Sequence, residues 1–189
     1  METKYTNIIM PYTLSFFKCR KVKSPEYGTL GSAGIDFFIP EDLKYEDLKT
    51  SPLSFAFIPK IEYADDFKIK KIYLYANRGI LIPSGIKVSI PKGHAMVFMN
   101  KSGVALKKGL AMGACVIDED YMGEIHLHLV NTGNETVEIS AGEKIAQALV
   151  IPVMHCSLHE FSSEDELFSS LRLTSERSDG GFGSTGTGI

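Results

Sequence analysis

Three carboxylates in four positions, Asp118, Glu119 and Asp120 counted to Tyr121, follow the apolar run Cys115-Val116-Ile117 and precede Met122-Gly123. An apolar lead, a group of acids, an aromatic and a glycine turn into the next strand describe a β-hairpin with carboxylates at its end. Such a group can hold a hard cation or take the proton from an attacking water. A solvated acidic turn has the same composition and is the plain alternative. Asn100-Lys101-Ser102-Gly103 offers a cation, a hydroxyl and a glycine at a strand end, the makings of a small phosphate cradle. Ala33-Gly34-Ile35-Asp36-Phe37-Phe38 sets one acid inside an apolar strand, where a buried charge needs a partner. The last segment, Ser178 to Ile189, is rich in Gly, Ser and Thr, yet it contains Phe182 and follows Arg177. By composition it is a flexible tail. Its glycines also let backbone amides approach phosphate, Arg177 supplies a planar fork, Ser184 and Thr185 supply hydroxyls, and a phenyl ring can stack on a base. Together these features describe a lid that orders over a nucleoside triphosphate.

The elements that must position these groups are short strands. Glu124 to Val130 alternates polar and apolar with period two, and Ile86 to Ile90 and Thr136 to Ile139 repeat the pattern. Pro83-Ser84-Gly85, Pro91-Lys92-Gly93, Asn131-Thr132-Gly133-Asn134 and Ser140-Ala141-Gly142 lie between them as turns. Strands at roughly ten-residue spacing with such turns predict an all-β barrel or sandwich. Ser163-Glu164-Asp165-Glu166 has the form of a capping box, so a short helix is expected there. Glu41 to Leu48 and the residues after Ser102 are further helical candidates. The stretch 41–78 stands apart, mixing charge with aromatic residues and holding few turn signals.

The chain has 189 residues, 44% of them hydrophobic and 23% charged, enough for one core without a stabilising metal or disulfide. The expected division is a barrel domain over 1–175 and a glycine-rich lid over 176–189. A net charge of −3 gives no general attraction to nucleic acid or to an anionic membrane. The three cysteines, Cys19, Cys115 and Cys156, lack zinc-ligand spacing and are odd in number. With no signal peptide and no membrane span visible, a soluble, cytoplasmic protein is expected.

In chain order the segments resemble the five motifs of the trimeric dUTPase family. The first is Ala33 to Phe38, the second Lys101-Ser102-Gly103-Val104-Ala105 and the third Gly113 to Gly123. The fourth is Gly142-Glu143-Lys144-Ile145-Ala146-Gln147 and the fifth Arg177 to Gly186. The resemblance covers about 12–36 and 80 to the end, and it implies a dUTPase-like β-barrel or jelly-roll with an extended C-terminal arm. It implies hydrolysis of dUTP to dUMP and pyrophosphate with Mg2+ as cofactor. Asp118 would activate the water that attacks the α-phosphorus. Tyr121 would pack under the deoxyribose and exclude a 2′-hydroxyl. The backbone of Gly113, Cys115, Val116 and Ile117 would read the uracil edge. Lys101, Ser102, Gly103 and Gln147 would hold the phosphate chain. Asp36 would help place the hydrated Mg2+, which the phosphates chelate. Arg177, Gly183, Ser184 and Thr185 would close on the γ-phosphate while Phe182 stacks on uracil. A homotrimer with shared sites is also implied. Departures from the family pattern are Lys101 and Lys144 in place of arginines, Met122 in place of a polar residue and Ser178 in place of glycine, so the bidentate forks of the second and fourth motifs are lost.

Two other readings compete. A dCTP deaminase would carry a glutamate where this chain has His128. A dual-role or non-catalytic module binding nucleotide or protein would act through the 41–78 insertion. His126 and His128 share one strand face and could bind a metal, or face solvent or a subunit interface.

Overall fold

The computed structural model describes residues 12–50, 59–64 and 66–171. Fourteen strands follow one another along these residues: β1 Ser15–Lys18, β2 Glu26–Tyr27, β3 Ile35–Phe38, β4 Lys49–Thr50, β5 Lys60–Tyr63, β6 Ile69–Leu74, β7 Gly79–Pro83, β8 Ile86–Ser89, β9 His94–Asn100, β10 Leu110–Met112, β11 Val116–Ile117, β12 His126–Asn131, β13 Val137–Ser140 and β14 Lys144–Pro152. Helix α1, Ser102–Lys108, follows β9 and ends at Gly109, whose φ of 63° stops it. The all-β expectation is met.

The strands pair antiparallel in four small sheets, ordered β1-β8, β10-β12-β7-β4, β11-β9-β14-β3-β2 and β13-β6-β5. Period-two alternation places the side chains. In β8, Ile86 and Val88 are buried while Lys87 and Ser89 are exposed; in β12, Leu127 and Leu129 face inward and His126 and His128 are half-buried. The inward residues form one core in which Phe37 meets Phe98 edge to face at 4.9 Å, surrounded by Ile39, Leu43, Ile82, Met96, Ile125 and Ile145. Each such side chain contributes roughly 1.5–3 kcal/mol on burial.

One feature differs from expectation. Only Tyr45–Asp47 of the stretch Glu41 to Leu48 is helical, as a 3-10 turn in which Asp47 Oδ2 accepts the Lys44 amide at 2.8 Å. In the stretch 41–78, set apart in the sequence by its composition, the described residues pack on the barrel. Leu43, Ile69, Ile72 and Leu74 are buried in the core, and β6 pairs with β13 in register Val137–Leu74 to Ser140–Lys71. β5 is the outer strand on the other side of β6. The tip between β5 and β6 places Phe67 at φ 62°, 82% exposed.

The chain divides into two compact units after Met154. The described part of the second contains α2, Glu164–Leu171, where Ser163 Oγ accepts the Glu166 amide at 3.2 Å and Glu164, Asp165 and Glu166 occupy the positive end of the helix dipole. Among the described residues no helix is long and apolar enough to cross a membrane.

Candidate active site

Strand β3 turns Asp36 inward to 3% exposure. A lone carboxylate there would be costly to bury, and two lysines compensate: Lys101 Nζ donates to Oδ1 at 2.8 Å and Lys144 Nζ lies 2.7 Å from Oδ2. Burial pushes the Asp36 carboxyl up, but the hydrogen bonds from Lys101 and Lys144 outweigh it and hold the group below the usual carboxylate range. The Lys144 ammonium is raised by the same hydrogen bond. The sheet sets this geometry. Lys101 follows the end of β9, Lys144 opens β14, and β14 lies between β9 and β3 with Gln147 opposite both Met99 and Asp36.

Asp36, Lys101 and Gln147 line one pocket of about 390 Å3 together with Gly28, Gly34 and Asn100. Gln147 Nε2 donates to the Asn100 carbonyl at 2.9 Å. Glycine at position 34 leaves room for the Gln147 side chain, because a Cβ there would stand 2.5 Å from Oε1 and force that side chain to move. Ser102 and Gly103 open α1 directly after Lys101, both exposed, and the first amides of a helix have no acceptor within it. A larger groove of about 1030 Å3, lined by Tyr12, Phe16, Tyr27, Leu30 and Val150 among others, contains none of the candidate residues.

The hairpin residues form a second group. Val116 and Ile117 pair as β11 with Val97 and Met96 of β9, and the Cys115 carbonyl accepts the Phe98 amide at 2.8 Å. Asp118 is exposed at the start of the turn, its carbonyl accepting the Tyr121 amide at 3.2 Å. The Glu119 carboxylate accepts the Gly93 amide, tying the turn to the connection before β9. Tyr121 is 42% exposed and its hydroxyl donates to the Glu124 carbonyl at 2.9 Å. Gly113 and Ala114 rest against His128.

The structure therefore gathers Asp36, Lys101 and Gln147, with Ser102 and Gly103 adjoining. It holds Gly113, Cys115, Val116, Ile117, Asp118 and Tyr121 on the hairpin, where none lines that pocket. Arg177, Phe182, Gly183, Ser184 and Thr185 lie outside the described residues. Lys144 is the residue sequence reasoning passed over. It was noted as a replaced arginine, although the demand of buried Asp36 for a counter-charge pointed to a second cation. Asp36, read from sequence as a water-mediated partner of Mg2+, is the centre of an ion triad.

Residues 65–186 match the sequence model of the dUTPase family. The chain is 32% identical over 166 residues to the deoxyuridine 5′-triphosphate nucleotidohydrolase of Finegoldia magna, covering 86% of this chain and 90% of that protein. It is 30% identical to the enzyme of the same name from a Hydrogenobaculum species, covering 86% and 89%. In fold it is similar to the dUTPase of Staphylococcus bacteriophage 80alpha solved with dUpNHpp, at a TM-score of 0.66, 21% identity and coverage of 93% and 99%. The dUTPase of phage phi11 of S. aureus superposes with a TM-score of 0.61 at 19% identity, covering 80% and 97%. The chain belongs to the dUTPase family.

Proposed function

We propose that this protein is a dUTP diphosphatase that works in the cytoplasm as a homotrimer, cutting dUTP into dUMP and pyrophosphate. The observation that carries the reading is the convergence of Asp36, Lys101 and Gln147, from three separate motifs, on one pocket of about 390 Å3 with exposed Ser102 and Gly103 beside it. A partly solvated ammonium backed by a buried carboxylate, a side-chain amide and helix-terminal N–H groups suits a polyphosphate.

Asp118 takes a proton from a water whose oxygen bonds to the α-phosphorus, and the bond from that phosphorus to the bridging oxygen breaks to release pyrophosphate. Tyr121 lies against the deoxyribose, where a 2′-hydroxyl has no room. The backbone of Gly113, Cys115, Val116 and Ile117 offers donors and acceptors to the uracil edge. The lid, residues 176–189, closes with Phe182 on the base and Arg177, Gly183, Ser184 and Thr185 on the γ-phosphate, excluding water.

Among the described residues no three His, Cys, Asp or Glu side chains cluster as metal ligands. A Mg2+ ion would be held mainly by the substrate's own phosphates, with the buried carboxylate of Asp36 reaching it indirectly, through water. Such an ion supplies neutralisation of the phosphate charge. Because Asp118 and Tyr121 do not line the pocket of Lys101, a second copy is expected to bring its hairpin to that pocket and a third its lid.

Pyrophosphate release tests the reading. With Mg2+ the protein should turn over dUTP and leave dTTP and UTP almost untouched. Tight binding of dUTP without turnover would overturn it.

A further inference from the structure

We infer that His128, which no motif includes, is a positioning residue that fixes the backbone of the base-reading hairpin; the inference rests on the role proposed above for residues 113–117. Two successive amides of the hairpin are fastened to this one residue. The Gly113 amide donates to the His128 carbonyl at 2.8 Å, and the Ala114 amide donates to its ring nitrogen Nδ1 at 3.1 Å. The ring lies close against the chain. A Cβ at position 113 would fall 2.2 Å from Nδ1 and 2.6 Å from Cε1, and one at Gly79 on the neighbouring strand would fall 3.2 Å from Nε2. Gly113 has no positive φ, so what glycine provides there is space: any Cβ would displace the His128 ring. Glycine on both sides of a half-buried imidazole makes a slot shaped to this ring.

The hydrogen bond also fixes the ring's tautomer. Nδ1 must present its lone pair to the Ala114 amide, which leaves the proton on Nε2. An imidazole so protonated has no free lone pair for a metal, so His126 and His128 do not form a metal pair despite sharing a face. His126 is engaged separately, its Nδ1 lying 2.9 Å from the Glu124 carbonyl. The function of His128 is mechanical. It satisfies the Ala114 amide, between Gly113 and Cys115 of the base-reading backbone, and it holds that backbone in one geometry before substrate arrives. Neither Asp118 nor the Lys101 pocket touches it, so its removal should act on binding rather than on the chemical step.

The test compares substitutions by whether they keep an acceptor at the Nδ1 position. His128→Leu removes the acceptor and releases the exposed Ala114 amide to solvent, freeing the hairpin backbone at that point. It should raise KM for dUTP by about tenfold or more, with kcat changed by less than about threefold, and should speed hydrogen exchange at the Ala114 amide. His128→Asn places an amide oxygen where Nδ1 stood and should restore both KM and exchange protection to within about threefold of the parent. If leucine at this site prevents folding, His128→Ala serves as the acceptor-free variant in the same comparison. Unchanged KM in the acceptor-free variant, or equal losses in the leucine and asparagine variants, would overturn the inference. The exchange measurement needs no nucleotide: if the parent protein fails to hydrolyse dUTP, the functional reading falls, while slow exchange at Ala114 still decides whether His128 anchors the hairpin.

Discussion

Lys144, at the head of β14, sets its ammonium 2.7 Å from Asp36 Oδ2 on the adjoining strand. Lys101 occupies the other oxygen, so two cations share one buried anion, and Lys144 also lies 3.9 Å from Glu26 Oε1. Both lysines stay about one-third exposed, at 34% and 30% of their side chains.

Asp36→Asn should remove the anion and leave two like charges facing each other. The expected loss is about 2 kcal/mol, less than for a fully enclosed pair because both ammonium groups keep solvent. The acid limb of stability gives an independent check. The folded-state carboxyl titrates below its unfolded value, so its contribution is complete above the ordinary aspartate value of about 3.9 and is lost as pH falls through the lower folded value. Melting temperatures of the parent should fall more steeply than those of Asp36→Asn below about pH 4.

Asp118→Asn should abolish turnover, by at least about a thousandfold, while dUTP is still bound. Calorimetric titration with a non-hydrolysable dUTP analogue, alongside a pyrophosphate assay, separates the two effects. Retained hydrolysis would remove Asp118 from its assigned role.

Arg20 joins three parts of the chain. Its Nε donates to Glu124 at 2.8 Å and its Nη2 to Asp47 at 3.0 Å, while Glu124 also accepts the Gly85 amide at 2.8 Å. Arg20→Ala leaves two partly buried carboxylates short of a donor and should destabilise by about 2 kcal/mol. Urea melts should show this as a lower midpoint at an unchanged slope.

Phe67 occupies the left-handed region at φ 62° with most of its ring in solvent. A bulky residue there costs about 1–2 kcal/mol relative to glycine, and little packing offsets it. Phe67→Gly should therefore raise the melting temperature, the opposite of the usual effect of adding glycine.

Chelation of divalent metal by EDTA should stop dUTP hydrolysis yet shift the melting temperature of the nucleotide-free protein by less than about 2 °C, since a substrate-borne ion has no linkage to folding without substrate. A large shift would place a structural metal in the protein itself.

The strand pattern was legible because alternation is local: Leu127 and Leu129 face inward as their spacing requires. The need of Asp36 for a partner was legible too, but the partner's identity was not. Lys144 lies far along the chain, and only the β3–β14 register brings it to Oδ2. Period-two reasoning also put His126 and His128 on one face. It could not say that Ala114 would claim one nitrogen of His128, a contact set by how β10 and β12 align at Gly113. In the stretch 41–78 the charged residues masked the apolar spacing of Ile69, Ile72 and Leu74, which proved to be core.

Strand β14 carries Lys144 and Gln147 and is hydrogen-bonded on one side to the strand of Asp36 and on the other to the strand leading into Lys101. Ile145, Ala146 and Ala148, set between the two polar residues or directly after them, are fully buried. A change at any of these positions alters the packing of the sheet and the placement of Gln147 in the pocket together, so variants of this strand that lose affinity are expected also to melt early. Side chains on the outer strand β5, by contrast, can be exchanged without reopening the centre of a sheet.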